Sequence, residues 1–242
     1  MELSYDGSKY HGWQIQKNAI SVQQVVEESI SIILRRDVEI IGSGRTDTGV
    51  HALKQCVHFD FQEELSHDFI YRLNKLLPKD IAVHRIAPVK DDAHVRFDAY
   101  SRAYRYKIIF KKDPFSVDRA YYYYKPLCLH DMVECCENIE QWTDFESFSK
   151  VHTDVKTFDC QIFGCSWIET NEGLDFYVRA NRFLRGMVRA MVGTLLLVGE
   201  GKLDSSGFRK ILESRDRKKA GRAVPACGLY LAEVNYPKEV YL

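Results

Sequence analysis

This chain has no net charge: 34 Lys and Arg balance 34 Asp and Glu over 242 residues. Nucleic-acid binders commonly carry a basic excess, so neutrality at first argues against such a partner. No apolar run reaches the roughly 18 residues that span a bilayer. The opening Met1-Glu2-Leu3-Ser4-Tyr5 has no charged-then-apolar leader, and a soluble, cytoplasmic protein without a membrane partner is expected. Paired cysteine motifs are missing too. Cys56, Cys128, Cys135, Cys136, Cys160, Cys165 and Cys227 are odd in number and none forms C-x-x-C. Cys56-x-His58 and Cys128-x-His130 lack a second pair at zinc-like spacing, so reduced thiols, mostly in the core, and no metal are expected.

What is present is material for a core. Hydrophobic residues make up 45% and aromatics 12% of the chain. That excludes a disordered polyelectrolyte and suffices for one large domain or two modest ones. Strand-like stretches lie at residues 1–6, 38–41, 55–61 and 81–86, with helices opened by Ser21 and Ser66, the second closed by Pro78. Further along, strands are expected over 100–110, 121–125, 161–169, 174–180 and 229–234, and helices over 131–142, 182–199 and 204–214. Asn171-Glu172-Gly173 suggests a hairpin. Hairpins and meanders mixed with helices argue for an α+β fold with a largely antiparallel sheet, in two halves, 1–98 and 99–242.

The neutrality is a cancellation. Residues 1–60 hold 6 basic and 8 acidic side chains, 61–120 hold 12 and 9, 121–180 hold 4 and 11, and 181–242 hold 12 and 6. Basic clusters at 96–112, 179–189 and 209–222 include Arg96, Arg102, Arg105, Arg185 and Arg189, the first interleaved with Phe97, Tyr100, Tyr104 and Tyr106. Such interleaving suits a phosphate backbone with stacked bases, although any one cluster also fits an ordinary solvated face. Asp131, Glu134, Glu137, Glu140, Asp144 and Glu146 form a basic-free acidic face expected to point away from a polyanion.

Between two strand signals runs Gly42-Ser43-Gly44-Arg45-Thr46-Asp47-Thr48-Gly49-Val50-His51. It is not a phosphate-binding P-loop, because Val50-His51 stands where Lys-Ser/Thr is required. Nor is it a dinucleotide fingerprint, since Asp47 replaces the third glycine and no helix follows. Three glycines call for positive φ or close approach. The loop presents a carboxylate beside a guanidinium, or else Asp47 and Thr46 merely satisfy a turn.

This loop resembles the G-A/S-G-R-T-D-x-G-V-H-A signature of the tRNA pseudouridine synthase A family. The likeness runs along the chain. It includes Ser4-Tyr5-Asp6-Gly7-Ser8, Gly12-Trp13-Gln14-x-Gln16, Ser21-Val22-Gln23 and Leu77-Pro78-x-Asp80-Ile81. It continues in Arg96-Phe97-Asp98-Ala99, Arg102-x-Tyr104-Arg105-Tyr106, Phe183-Leu184-Arg185-x-Met187-Val188-Arg189 and Pro225-Ala226-x-Gly228-Leu229-Tyr230-Leu231. Departures are a later start, Ala93-His94-Val95 in place of Phe-His-Ala, and Asn181-Arg182 ahead of Phe183. None touches the Asp47 loop.

The resemblance implies two α/β-sandwich halves (ferredoxin-like, or RRM-like) joined around a central catalytic cleft. It implies isomerisation of uridine to pseudouridine at positions 38, 39 and 40 of the tRNA anticodon stem-loop, by a homodimer, without cofactor or metal. Asp47 would be the catalytic carboxylate and Arg189 its partner or one more phosphate contact. Arg45 would displace the nucleotide. Tyr104 would contact the flipped base or lie in the core, and Leu229, with Leu231 as a competing choice, would close the pocket. Arg96, Arg105 and Arg185 would bind the substrate, and His51 would support the loop. Alternatives are a synthase for other tRNA or small-RNA positions, or a non-catalytic RNA chaperone.

Overall fold

A computed structural model of the protein describes residues 1–151 and 155–242. Its elements are β1 (Glu2–Tyr5), α1 (Val22–Leu34), β2 (Ile41–Gly42), β3 (His51–His58), α2 (Phe69–Leu76), β4 (Ile81–Arg85) and β5 (Ser101–Ile109). Then follow β6 (Tyr121–Tyr122), α3 (Leu129–Glu140), β7 (Ile162–Glu169), β8 (Gly173–Ala180), α4 (Met187–Gly199), α5 (Ser205–Ser214) and β9 (Leu229–Asn235). The fold is α+β and mostly antiparallel. Among the described residues no helix is long and apolar enough to cross a membrane.

The chain forms two compact units, residues 1–100 with 230–242, and residues 101–229. The first unit orders its strands β4-β1-β3-β9, with β2 also on β3. All pair antiparallel except β3 and β9, where His51 and Ala52 run parallel to Tyr230 and Leu231. Ser21 Oγ accepts from Gln24 N–H at 3.3 Å to open α1, and Arg35 ends it in the left-handed conformation at φ 56°. Val22, Val26 and Ile30, spaced by four, are buried along one stripe of that helix. Ser66 lies outside α2: its carbonyl accepts Phe69 N–H at 2.9 Å and Asp68 holds the N-cap position.

The strand expected over 38–41 is reduced to the two residues Ile41–Gly42. Helix side chains take the backbone donors that a ladder would use, with Ser31 Oγ accepting from Val38 N–H at 3.0 Å and Glu27 Oε1 from Ile40 N–H at 2.9 Å.

In the second unit β8 lies between β5 and β7, and the short β6 joins β5 in parallel. The hairpin closes over residues 170–172, with Thr170 N–H donating to Gly173 O at 2.9 Å. Helix α3 packs on β7, and α4 and α5 pack on α3. Tyr106, Phe176, Met132, Met191 and Phe208 are completely buried here. α4 begins at Met187, not at residue 182, because Gly186 turns left-handed at φ 72° just before it. The acidic run is not one helix face. Glu140 Oε1 accepts from Cys165 N–H at 2.7 Å, while Asp144 lies beyond α3 and pairs with Arg215 at 2.9 Å.

Candidate active site

In the first unit the loop from Ser43 to Val50 leaves β2 and returns as β3. Ser43 N–H still follows the ladder, donating to Cys56 O at 2.8 Å. Thr46 is buried, its carbonyl accepting Trp13 N–H at 3.2 Å and its hydroxyl meeting the Tyr5 hydroxyl at 2.9 Å. Gly49 N–H reaches Tyr10 O at 3.3 Å, and Val50 N–H returns to Asp47 O at 3.1 Å. These bonds fold a tight turn around Asp47, which is half-buried, with Arg45 exposed two residues earlier. Arg45 Nε donates to Gln14 Oε1 at 3.3 Å.

The three glycines do different things. A Cβ on Gly42 would sit 2.4 Å from Trp13 Nε1, and Gly49 adopts φ +75°, whereas Gly44 faces open space. Gly42 and Gly49 need glycine, and Gly44 does not.

His51 is buried at the end of the loop. Its Nδ1 accepts Gly7 N–H at 3.0 Å, with Asp6 Oδ1 3.2 Å from the same nitrogen. The ring stacks on Tyr230 at 4.6 Å, which gives His51 a supporting part. Arg96, in the same unit, is exposed, and its backbone N–H is held by His94 Nδ1 at 3.1 Å.

In the second unit Tyr104 is half-buried on β5, with its ring edge-on to Phe183 at 5.0 Å and 89°. Tyr106, two residues on, is the core tyrosine, and its hydroxyl donates to Pro225 O at 2.8 Å. Arg105 alternates to the opposite face of the strand. There its Nε donates to Asp175 Oδ2 at 2.8 Å, and Nη2 closes on the same oxygen. Asp175 therefore anchors Arg105, whose side chain stays 40% exposed. Arg189 lies in the first turn of α4. Its Nε donates to Val224 O at 2.7 Å and its carbonyl accepts Val224 N–H at 3.1 Å, which ties it at side chain and backbone. Arg185 is exposed before the helix, and Leu229 is buried at the start of β9.

Each basic cluster divides in the same way. Arg102 donates to Asn181 O at 3.1 Å, Arg209 pairs with Glu213, Arg215 with Asp144, and Arg217 donates to Gly221 O at 3.0 Å. Lys111, Lys112, Lys210, Lys218, Lys219 and Arg222 are exposed. Sequence reasoning missed Tyr5 and Gln55 as anchors of the loop.

Comparison with known proteins places the chain in a family. A family model described as tRNA pseudouridine synthase matches residues 3–98 and 142–237. The chain is 48% identical to the tRNA pseudouridine synthase A of Parabacteroides distasonis, over 99% of this chain and 96% of that protein. It is 49% identical to that of Bacteroides thetaiotaomicron, over 99% and 90%, and 37% identical to that of Bacillus subtilis, over 97% of each. The chain belongs to the tRNA pseudouridine synthase A family, whose members are isomerases.

Proposed function

We propose that this protein isomerises uridine to pseudouridine at positions 38, 39 and 40 of the tRNA anticodon stem-loop, with Asp47 as its catalytic carboxylate. Support comes from the Asp47 turn, pinned by backbone bonds at Ser43, Thr46, Gly49 and Val50, with the carboxylate half-buried and Arg45 exposed beside it. A group that must act on one atom of a large substrate needs such a fixed mount.

In the reaction the C1′–N1 bond breaks, the uracil turns and C1′ joins C5. C5 loses its proton and N1 gains one, so the composition does not change. Asp47 must be ionised to add to the sugar, attack the base or take a sugar proton. A uridine in a stem must first leave the stack, and Arg45 is the residue proposed to displace it. Arg189 completes the proposed catalytic set. Tyr104 offers the base a ring face without directional bonds, Leu229 offers an apolar contact, and Arg96 and Arg185 bind phosphate. A homodimer in the cytoplasm is part of the same proposal, tested by sedimentation and fractionation.

Tritium release from C5-labelled uridine in tRNA transcripts is the test. Asp47→Asn keeps the volume and removes the charge, so release should fall to background. Release at the wild-type rate would overturn the role of Asp47. Transcripts with a single uridine at 38, 39 or 40 should each release tritium. Release confined to uridines elsewhere would favour a different target position.

A further inference from the structure

β3 changes neighbours along its length. His58 and Val57 pair with Ile41 and Gly42 of β2, whereas His51 and Ala52 pair with Tyr230 and Leu231 of β9. Continuing the β2 register would set Gly44 opposite Gln55, yet the ladder stops once Ser43 N–H has reached Cys56 O. The side chain of Gln55 stands in for the missing backbone partner. Its Nε2 donates to Gly44 O at 3.0 Å, and its Oε1 accepts from Ser43 Oγ at 2.6 Å and Cys56 N–H at 3.2 Å.

Gln55 is fully buried, at 0% exposure. Its amide therefore depends on these partners, and they on it, because unmade bonds at such depth are costly. The loop is turned out of the ladder at Gly44, and two residues later Tyr5 and Trp13 capture Thr46. Asp47 is the next residue.

We infer that Gln55 is a positioning residue for Asp47. Its buried amide fixes where the loop departs from β3 and hence where the carboxylate stands. The inference rests on the reading of Asp47 as the catalytic carboxylate. Gln55 itself touches no reacting atom.

Single-turnover and steady-state tritium release from tRNA transcripts, with thermal melting alongside, test it in four variants. Gln55→Glu keeps the shape and the acceptors but, when ionised, cannot donate to Gly44 O. Gln55→Met keeps the length and loses both functions. Ser43→Ala removes only the hydroxyl that orients the amide, and Asp47→Asn is the reference.

Both Gln55 variants should lose about 10- to 100-fold in kcat with KM for tRNA within about twofold, as expected for misplacement of a reacting group. Ser43→Ala should lose about two- to fivefold in kcat, the effect of one hydrogen bond. Lower melting temperatures with unchanged kcat, or a raised KM with unchanged kcat, would overturn the inference and leave Gln55 a structural residue. Should the Gln55 variants fail to fold, Ser43→Ala decides, and an unchanged kcat there refutes it. Full activity in Asp47→Asn would defeat the reading of Asp47. An inactive Asp47→Asn beside fully active Gln55 variants would defeat only the role of Gln55.

Discussion

Replacing Glu200 with Gln should cost stability at neutral pH and little in acid. Glu200 caps the C-terminal end of α4, where the last carbonyls disfavour an anion. Its carboxylate is nonetheless well partnered: Lys202 Nζ lies at 2.5 Å, the Tyr123 hydroxyl donates to it, and Lys125 Nζ reaches both oxygens at 3.2 and 3.1 Å. These bonds, Lys202 first and Tyr123 next, lower the carboxyl pKa from 4.5 to about 2.

An unscreened shift of that size would correspond to about 3 kcal/mol. The carboxylate is 8% exposed, but the side chains of Lys125 and Lys202 are 39% and 57% exposed. Solvent weakens both attractions, and about 1–2 kcal/mol is the expected contribution.

The folded pKa lies below the unfolded one. The contribution is therefore complete above pH 4.5, declines as the pH falls from 4.5 towards 2, and vanishes below that. Gln carries no charge at any pH. Urea titrations of wild type and Glu200→Gln at pH 7 should differ by about 1–2 kcal/mol, and the gap should close between pH 4.5 and 2. A gap that stays constant into acid would assign the effect to packing. No gap at pH 7 would show that the lysines contribute nothing.

Two further outcomes follow from how the fold uses its charges and thiols. Arg105→Ala should lower stability by about 1–3 kcal/mol, because it leaves the buried Asp175 carboxylate without its guanidinium. It should leave the slope of log affinity for tRNA against log salt unchanged, since each lost phosphate contact lowers that slope by roughly 0.7–0.9; a fall of that size would make Arg105 a ligand contact. Among the thiols, Cys128 is exposed and Cys227 half-buried, while burial pushes Cys56, Cys135 and Cys160 up to about 11. A disulfide reagent at pH 8 should modify Cys128 fast, Cys227 slowly, and the rest only on unfolding, and more than two reactive thiols in the native protein would contradict that burial.

Local signals announced the elements that local chemistry decides. The Ser21 cap, Pro78 after α2 and the residues around Gly173 each act within a few positions of themselves, and α1, the end of α2 and the β7–β8 hairpin lie where they were expected. Most of the errors arose where a partner outside the segment decides. Residues 38–40 carry a strand pattern, but Glu27 and Ser31 take their donors. Residues 182–186 are as apolar and basic as a helix turn, and one left-handed glycine cuts them off. The acidic run from 131 to 146 looks uniform in sequence, although Glu140 and Asp144 each answer to a strand or helix elsewhere.

The same division runs through the candidate site. Asp47 and Arg45 stand out because an unusual loop composition is written in consecutive residues. Gln55 does not stand out, because its task arises only when β2 and β9 are both paired on β3, and pairing register cannot be read from one chain segment. Arg105 shows the converse. Inside a basic cluster it reads as a phosphate contact; strand alternation sets it on the face opposite Tyr104, where it also pairs with Asp175. Side-chain type proposed the chemistry here, and strand geometry decides which face each side chain takes.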